Sequence, residues 1–295
     1  MNNTLEKHRY GNRYASWFIA QKLLEVVLLS ACFIQCSSQP VREENSIPPE
    51  TEGLTHITNY DTLTKTIHVL VALCDNTYQG IVPVPAKIGN GQDPYNNLYW
   101  GCAYGIKTFF KKSSEWVLVK TQKKDSILLE RLVFKHVSKN YYLVADAYNG
   151  KYIKTCTEDF LSACAGQYKD TLHINKTRIG IHGNAGLIAY IGHDGLMDFQ
   201  LEKTVKNADY KTRDCIILAC LSRNYFSAQI KATQANPLVW TTGLMCPEAY
   251  TLHDALTGYV NNESDEAICS RAALAYAAYQ KCSEKAARKL LVTGF

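Results

Sequence analysis

LIAYIGHDG, from Leu187 to Gly195, and CIILAC, from Cys215 to Cys220, are the two stretches that decide the predicted fold. Each is a short apolar run that ends at a residue with useful chemistry, His193 after the first and Cys220 after the second. Uninterrupted apolar runs of this length are typical of strands that are buried on both faces, as in a parallel sheet. We therefore expect two internal strands of one sheet, each with a reactive side chain just beyond its end.

Strand and helix patterns alternate around these two stretches. Apolar runs predict further strands at 66–75, at 115–122, in the segment that ends at Asp146 and after 236. Helical spacing predicts helices within 95–112, 156–168 and 222–235, and one long helix from Ser264, its N-cap, to Leu291. The segment 126–137 fits a helix or a strand equally. This alternation predicts an α/β fold, a three-layer sandwich with a mostly parallel central sheet.

The first 65 residues are expected to export and tether the folded domain. A short apolar stretch ends in LSAC, which resembles the lipobox of bacterial lipoproteins, so Cys32 is the expected lipidation site. Residues 1–32 would then be a lipoprotein signal segment, 33–65 a polar tether and 66–295 the folded domain, held at a bacterial membrane only through its lipid. A cytoplasmic protein with an amphipathic N-terminal helix stays open as the alternative, because polar residues interrupt the apolar stretch.

Composition and motifs argue against several other classes of protein. The 295 residues carry a net charge of +5 that is spread along the chain, without the basic stripe typical of nucleic-acid binding. The 11 cysteines form no C-x-x-C pair and no H-E-x-x-H occurs, so we expect neither a metal nor a cofactor. Cysteines in apolar runs, such as Cys74 and Cys215, are expected to be small buried hydrophobes, although an exported protein could also form disulfides. The sequence lacks a G-x-S-x-G motif and a P-loop, and it indicates no particular oligomeric state.

The two reactive residues suit covalent catalysis if their strands are parallel neighbours. Reactive groups in α/β proteins collect beyond the carboxyl ends of the strands, so His193 and Cys220 would then emerge at the same edge. An imidazole close to a thiol makes the nucleophilic thiolate available. The backbone amides of Gly195 and Cys220 are candidates for binding the developing oxyanion. Taken singly, a packing cysteine and a turn histidine are the commoner roles.

The order of these motifs resembles the signature of the caspase-like cysteine peptidases, the group of caspases, metacaspases, legumains, clostripain and gingipains. In that signature an apolar run ending in His-Gly is followed by an apolar run ending in Ala-Cys. The segment HVLVALCDNTYQ, the loop with Gly91 and Asp93, and the helix pattern after it also resemble the first strand, loop and helix of caspases. The resemblance covers roughly Ile67 to the C-terminal helix. It implies a caspase-like fold and an endopeptidase in which Cys220 is the nucleophile and His193 the general base or acid.

The resemblance also implies a substrate pocket near the strand ends. Relatives select their peptide or protein substrates through a charged pocket, which makes Asp75 and Asp146 candidates for recognising Arg or Lys. Trp240 and Thr241, which follow the nucleophile in the chain, are candidates for the wall of that pocket.

One departure from the signature leaves other functions open. Asp194 separates His193 from Gly195, whereas the family has glycine directly after the histidine. A literal His-Gly occurs earlier, at His182, but it precedes the apolar run instead of following it, so we prefer His193. The alternatives are a catalytically inactive binding module on the same fold and a cysteine hydrolase of small amides.

Overall fold

Residues 60–295 are described here from a computed structural model. The predicted lipidation site at Cys32, the signal segment 1–32 and most of the tether lie outside the described residues. Ten strands are present in the described part: β1 Lys65–Ala72, β2 Trp116–Lys123, β3 Leu128–His136, β4 Tyr141–Tyr148, β5 Lys169–Ile174, β6 Thr177–His182, β7 Leu187–Ile191, β8 Asp214–Leu218, β9 Asn236–Thr241 and β10 Leu291–Val292. Its six α-helices are α1 Ile106–Lys112, α2 Ile153–Cys164, α3 Ser222–Thr233, α4 Ala249–Val260, α5 Asp265–Gln280 and α6 Glu284–Leu290. Short 3₁₀ helices span Gly150–Tyr152 and Gly195–Met197.

The predicted α/β class and the mostly parallel sheet are confirmed. Eight strands form one mixed sheet in the order β10-β9-β8-β7-β1-β4-β3-β2. The central strands β9, β8, β7, β1 and β4 run parallel to one another, and β10, β3 and β2 pair antiparallel at the two sides. Every residue of β4 and β7 is buried, as expected of strands covered on both faces, whereas the edge strand β2 alternates between exposed and half-buried positions after its buried first residue, Trp116.

Helices cover both faces of this sheet. One core joins α1, α4 and α5 to the side chains of one face, such as Val69 and Ala189. A second core joins α2 and α3 to the opposite face, including Leu70 and Ile188. The hairpin of β5 and β6 covers β3 and β4 on that second face. The arrangement is consistent with a three-layer sandwich. Among residues 60–295, no helix is both long and apolar enough to cross a membrane.

The expected long C-terminal helix was wrong, because it is two helices. Ser264 caps the first, as predicted, by accepting a hydrogen bond from the Ala267 amide. The helix then ends at Lys281, which adopts a left-handed backbone with φ of 53°. Ser283 begins the second helix by accepting from the Ala286 amide. A serine that offers its side chain to the backbone thus restarts the helix where the left-handed residue stopped it.

Other segments also differ from, or resolve, the sequence prediction. The ambiguous segment 126–137 contains strand β3, and the strand expected to end at Asp146 continues to Tyr148. The helix expected within 95–112 begins only at Ile106, since the preceding residues form turns. Asp146 therefore lies inside a strand rather than at its end.

Candidate active site

Strand register places His193 and Cys220 at the same edge of the sheet. Strands β7 and β8 are parallel neighbours in which Ile191 pairs with Leu218. His193 follows Ile191 by two residues, and Cys220 follows Leu218 by two. The two residues therefore lie at the same position beyond the ends of their strands. Both residues line one cavity of about 490 Å³. The structure thus brings together the two residues that the sequence singled out.

A carboxylate that the sequence analysis missed orients the imidazole of His193. The Nε2 atom of His193 lies 2.8 Å from Oδ2 of Asp198. The same carboxyl oxygen accepts a hydrogen bond of 2.8 Å from the Gly80 amide, and the Tyr190 hydroxyl donates to the His193 carbonyl oxygen at 2.7 Å. Because a carboxylate can only accept, Nε2 carries the proton, which leaves Nδ1 as the basic nitrogen of the neutral ring. The only sequence signal was a carboxylate five residues after the histidine, in HDGLMDF.

The sulfur of Cys220 lies in a tight turn between β8 and α3. Leu221, the next residue, has a left-handed backbone with φ of 52°, and its amide donates to the Gly243 carbonyl oxygen at 2.8 Å. Left-handed backbone costs an ordinary residue free energy, so this turn holds its shape only because the surroundings fix it. The sulfur itself accepts from the Met245 amide at 3.3 Å and lies 3.6 Å from the Met245 carbonyl oxygen.

Thr241 fixes this turn from behind instead of forming a pocket wall. Its buried hydroxyl donates to the carbonyl oxygen of Ala219 and accepts from the Ser222 amide at 3.1 Å, so it joins the residues on both sides of Cys220. Trp240 is fully buried in the second core, where its ring meets Phe295 at a centroid distance of 5.2 Å. Neither side chain lines the cavity, and the expectation that they contact substrate is corrected.

Asp75 and Asp146 are also held away from the cavity. Asp75 is 1% exposed, and its carboxylate accepts from the Thr77 amide at 2.8 Å and the Gln92 side chain at 2.6 Å, which organises the loop after β1. Asp146 is fully buried and forms a two-pronged ion pair with Arg131, at 2.6 and 2.7 Å. Both carboxylates are occupied by partners inside the protein, and neither lines the cavity that holds Cys220.

The two residues after His193 have structural roles. Gly195 begins a 3₁₀ helix, and a methyl group there would lie 2.7 Å from the Phe199 ring, so a larger residue would require this ring to move. It does not line the cavity, whereas Gly192 does. The inserted Asp194 caps the same 3₁₀ helix by accepting from the Leu196 amide at 3.0 Å. Its second oxygen has no partner among the described residues, and burial raises the pKa of this carboxyl to about 7.

The backbone amides offer one oxyanion donor directly at the sulfur. Within residues 60–295 the N–H of Cys220 donates to no backbone or side-chain group. The N–H of Gly195 is likewise unpaired in that part of the chain, but this residue lies outside the cavity lining. The amide of Cys220 is therefore the better placed of the two expected donors.

The alternative histidine, His182, belongs to a separate buried cluster. This residue ends β6, and its ring stacks on Tyr168 at 3.9 Å and meets His68 edge-on at 4.3 Å. His68 accepts the His182 amide through Nδ1, so its Nε2 carries the proton and donates to Asp146 at 2.9 Å. Burial lowers the pKa of His182 to about 2.

This cluster is a poor fit for a metal ion, although ligand atoms of His68, Asp146 and His182 lie within 4.8 Å of one another. The guanidinium of Arg131 already engages both carboxylate oxygens and would repel a cation. The ring nitrogen of His68 that faces the carboxylate is protonated. The donor set is typical of a buried structural ion pair.

The cysteines of the described part are free thiols. Cys74 and Cys215 are fully buried in apolar surroundings, as predicted, and the nine cysteines that the structure describes form no disulfide with one another. Cys246 is exposed and lines the same cavity as Cys220. It provides a natural internal control for experiments on the proposed nucleophile.

Comparisons with known proteins give no relative for this chain: no family model matches, and no curated protein or solved structure has a significant match.

Proposed function

We propose that this protein is a cysteine endopeptidase with a caspase-like fold, in which Cys220 is the nucleophile and His193 its acid–base partner. One observation carries the proposal: these residues follow two adjacent parallel strands at the same offset, and both line one cavity. The carboxylate of Asp198 on His193 Nε2 adds the third member of a nucleophile–base–orienting group. The caspase-like assignment rests on the order of the two motifs along the chain.

The arrangement supports a two-step hydrolysis. The Cys220 thiol gives its proton to Nδ1 of His193, and the sulfur attacks the substrate carbonyl carbon to form a carbon–sulfur bond. The carbon–nitrogen bond then breaks, and the imidazolium returns the proton to the leaving amine. Water attacks the thioester with His193 as base, which releases the carboxylic acid and restores the thiol. The free N–H of Cys220 stabilises the oxyanion in both steps.

A specific contact favours an inactive binding module as the second candidate. The Cys220 sulfur is hydrogen-bonded to the backbone of Met245, and a peptide at the sulfur would have to replace those contacts. The inserted Asp194 fills the position where the signature has glycine. If these features disable the site, binding of a partner would not need the sulfur.

Cleavage of a mixed peptide library by the purified full chain tests the proposal. We expect Cys220→Ala and His193→Ala to lower cleavage by at least a hundredfold, since positioned acid–base groups contribute about 10² to 10⁴. Cys246→Ala is the matched control, because it removes a thiol from the same cavity and leaves the pair intact. Cleavage that persists unchanged in either of the first two variants, or no cleavage by the unmodified chain, would rule out the proposed peptidase.

Lipidation at Cys32 and export are proposed from the sequence alone. A Cys32→Ala variant expressed in a bacterium is expected to lose membrane attachment, as measured by fractionation and by the mass of the N-terminal peptide. Equal membrane attachment of the variant and the unmodified chain would contradict the proposal.

A further inference from the structure

The cavity beside the sulfur has apolar walls. Its volume of about 490 Å³ is typical of sites that enclose a ligand group. The residues that line it come from the loop between β1 and α1, from 192–197, from Cys220 and from 244–248. They include Ile81, Val84, Leu98, Tyr99, Met197 and Met245.

Hydrogen bonds hold the loop between β1 and α1, which supplies Ile81, Val84, Leu98 and Tyr99 to this wall. Asn76 pairs with Val84 in both directions, donating to its carbonyl oxygen at 2.7 Å and accepting from its amide at 3.0 Å. Asn97, next to Leu98, pairs in the same way with the backbone of Cys74, at 2.8 and 3.1 Å. The apolar wall is therefore preformed and does not have to assemble around a substrate.

The cavity offers little to a charged group. Among the described residues that line it, His193 and Glu248 are the only histidine, lysine, arginine, aspartate or glutamate side chains. One oxygen of Glu248 already accepts from the Tyr250 hydroxyl at 2.8 Å and from the Gln280 side chain at 3.2 Å. Burial also raises the pKa of this carboxyl, which weakens it as a partner for a cation. The acids expected to select Arg or Lys, Asp75 and Asp146, lie elsewhere.

We propose that the cavity binds an apolar side chain of the substrate, the one on the acyl side of the bond that Cys220 attacks. This inference rests on the proposed function and names its substrate class: peptides with a large aliphatic or aromatic residue at that position. Burying such a side chain favours binding, whereas a carboxylate or guanidinium would lose water without gaining a full partner.

Covalent labelling of the full chain by peptidyl acyloxymethyl ketones tests this specificity. Four probes differ only in the residue next to the electrophile, which is Phe, Leu, Arg or Asp, and intact-mass spectrometry measures the rate of labelling at Cys220. We expect the Phe and Leu probes to react about tenfold to a hundredfold faster than the Arg and Asp probes. Equal rates, or faster labelling by a charged probe, would overturn the apolar pocket and leave the proposed peptidase standing.

Variants of the cavity wall test whether this cavity sets the preference among the four probes. Ile81→Asp puts a carboxylate into the cavity and should raise the labelling rate of the Arg probe relative to the Phe and Leu probes. Val137→Asp is the control, because that side chain is 57% exposed and does not line the cavity. An Arg preference in the unmodified chain that Glu248→Gln abolishes would assign a basic substrate and refute the inference. If no probe labels Cys220 while iodoacetamide does, the peptidase proposal fails, and the inference fails with it.

Discussion

Replacing Asp194 by Asn should change the pH dependence of folding stability. The carboxyl is fully buried, one oxygen lacks a partner among the described residues, and its pKa is raised from 3.8 to about 7. Desolvation is the main cause, and the negative charge of Asp198 adds to it. The difference between these two pKa values, at about 1.4 kcal/mol for each pH unit, corresponds to about 4 kcal/mol of folding free energy.

The direction of the pH effect on stability follows from the raised pKa of Asp194 in the folded protein. A raised pKa means that this group adds its full stability below about pH 4 and loses it as the pH rises through 7. The Asn variant has no such titration. We therefore expect the variant to gain about 4 kcal/mol relative to the unmodified chain between pH 4 and pH 8, or roughly 8 to 16 °C in Tm.

Urea unfolding at several pH values between 4 and 8 measures the effect. The difference in the free energy of unfolding between variant and unmodified chain cancels all other titrating groups. Glu266→Gln, an exposed carboxyl in the first turn of α5, is the control and should change by less than about 1 kcal/mol over the range. A difference for Asp194→Asn that is constant with pH would refute the reasoning.

Three further changes have definite expected outcomes. Asp198→Asn should lower kcat for peptide cleavage at least tenfold with KM nearly unchanged, because the amide no longer fixes the proton on Nε2 of His193. Thr241→Val keeps the shape of the side chain but removes the buried hydroxyl beneath the turn that holds Cys220, and urea unfolding should show a loss of about 1 to 3 kcal/mol. Arg131→Met leaves the buried carboxylate of Asp146 without its ion pair and should cost about 3 to 5 kcal/mol at pH 7. That loss should shrink in acid, where protonation removes the uncompensated charge, and a loss that is equal at pH 4 and pH 7 would contradict the assignment.

The parallel centre of the sheet could be predicted from sequence because its strands are buried on both faces. Such strands appear as unbroken apolar runs, and the runs that end near His193 and Cys220 lie in adjacent strands with the same offset. Helix starts that depend on a side-chain cap, such as Ser264, were also predictable. The break at Lys281 was not, since a lysine gives no local signal for left-handed backbone.

The pocket could not be predicted, because its character depends on residues far apart in the chain. Asp146 follows an apolar run and suggested a specificity acid, but its true partner is Arg131, in a segment that fitted a helix as well as a strand. Similarly, Thr241 contacts the turn that holds Cys220 only because β9 pairs with β8. Pairing between distant strands decides which polar groups are satisfied inside the protein and which remain for a substrate.

The reactivity of a single sulfur measures the central pairing most directly. The full chain and its His193→Ala variant are exposed to iodoacetamide at pH 7, and peptide mass spectrometry follows alkylation of Cys220, with Cys246 in the same cavity as internal reference. We predict that loss of the imidazole slows alkylation of Cys220 at least tenfold and leaves Cys246 unchanged. Equal alkylation rates of Cys220 in the two proteins would show that its thiol and the His193 ring do not act together.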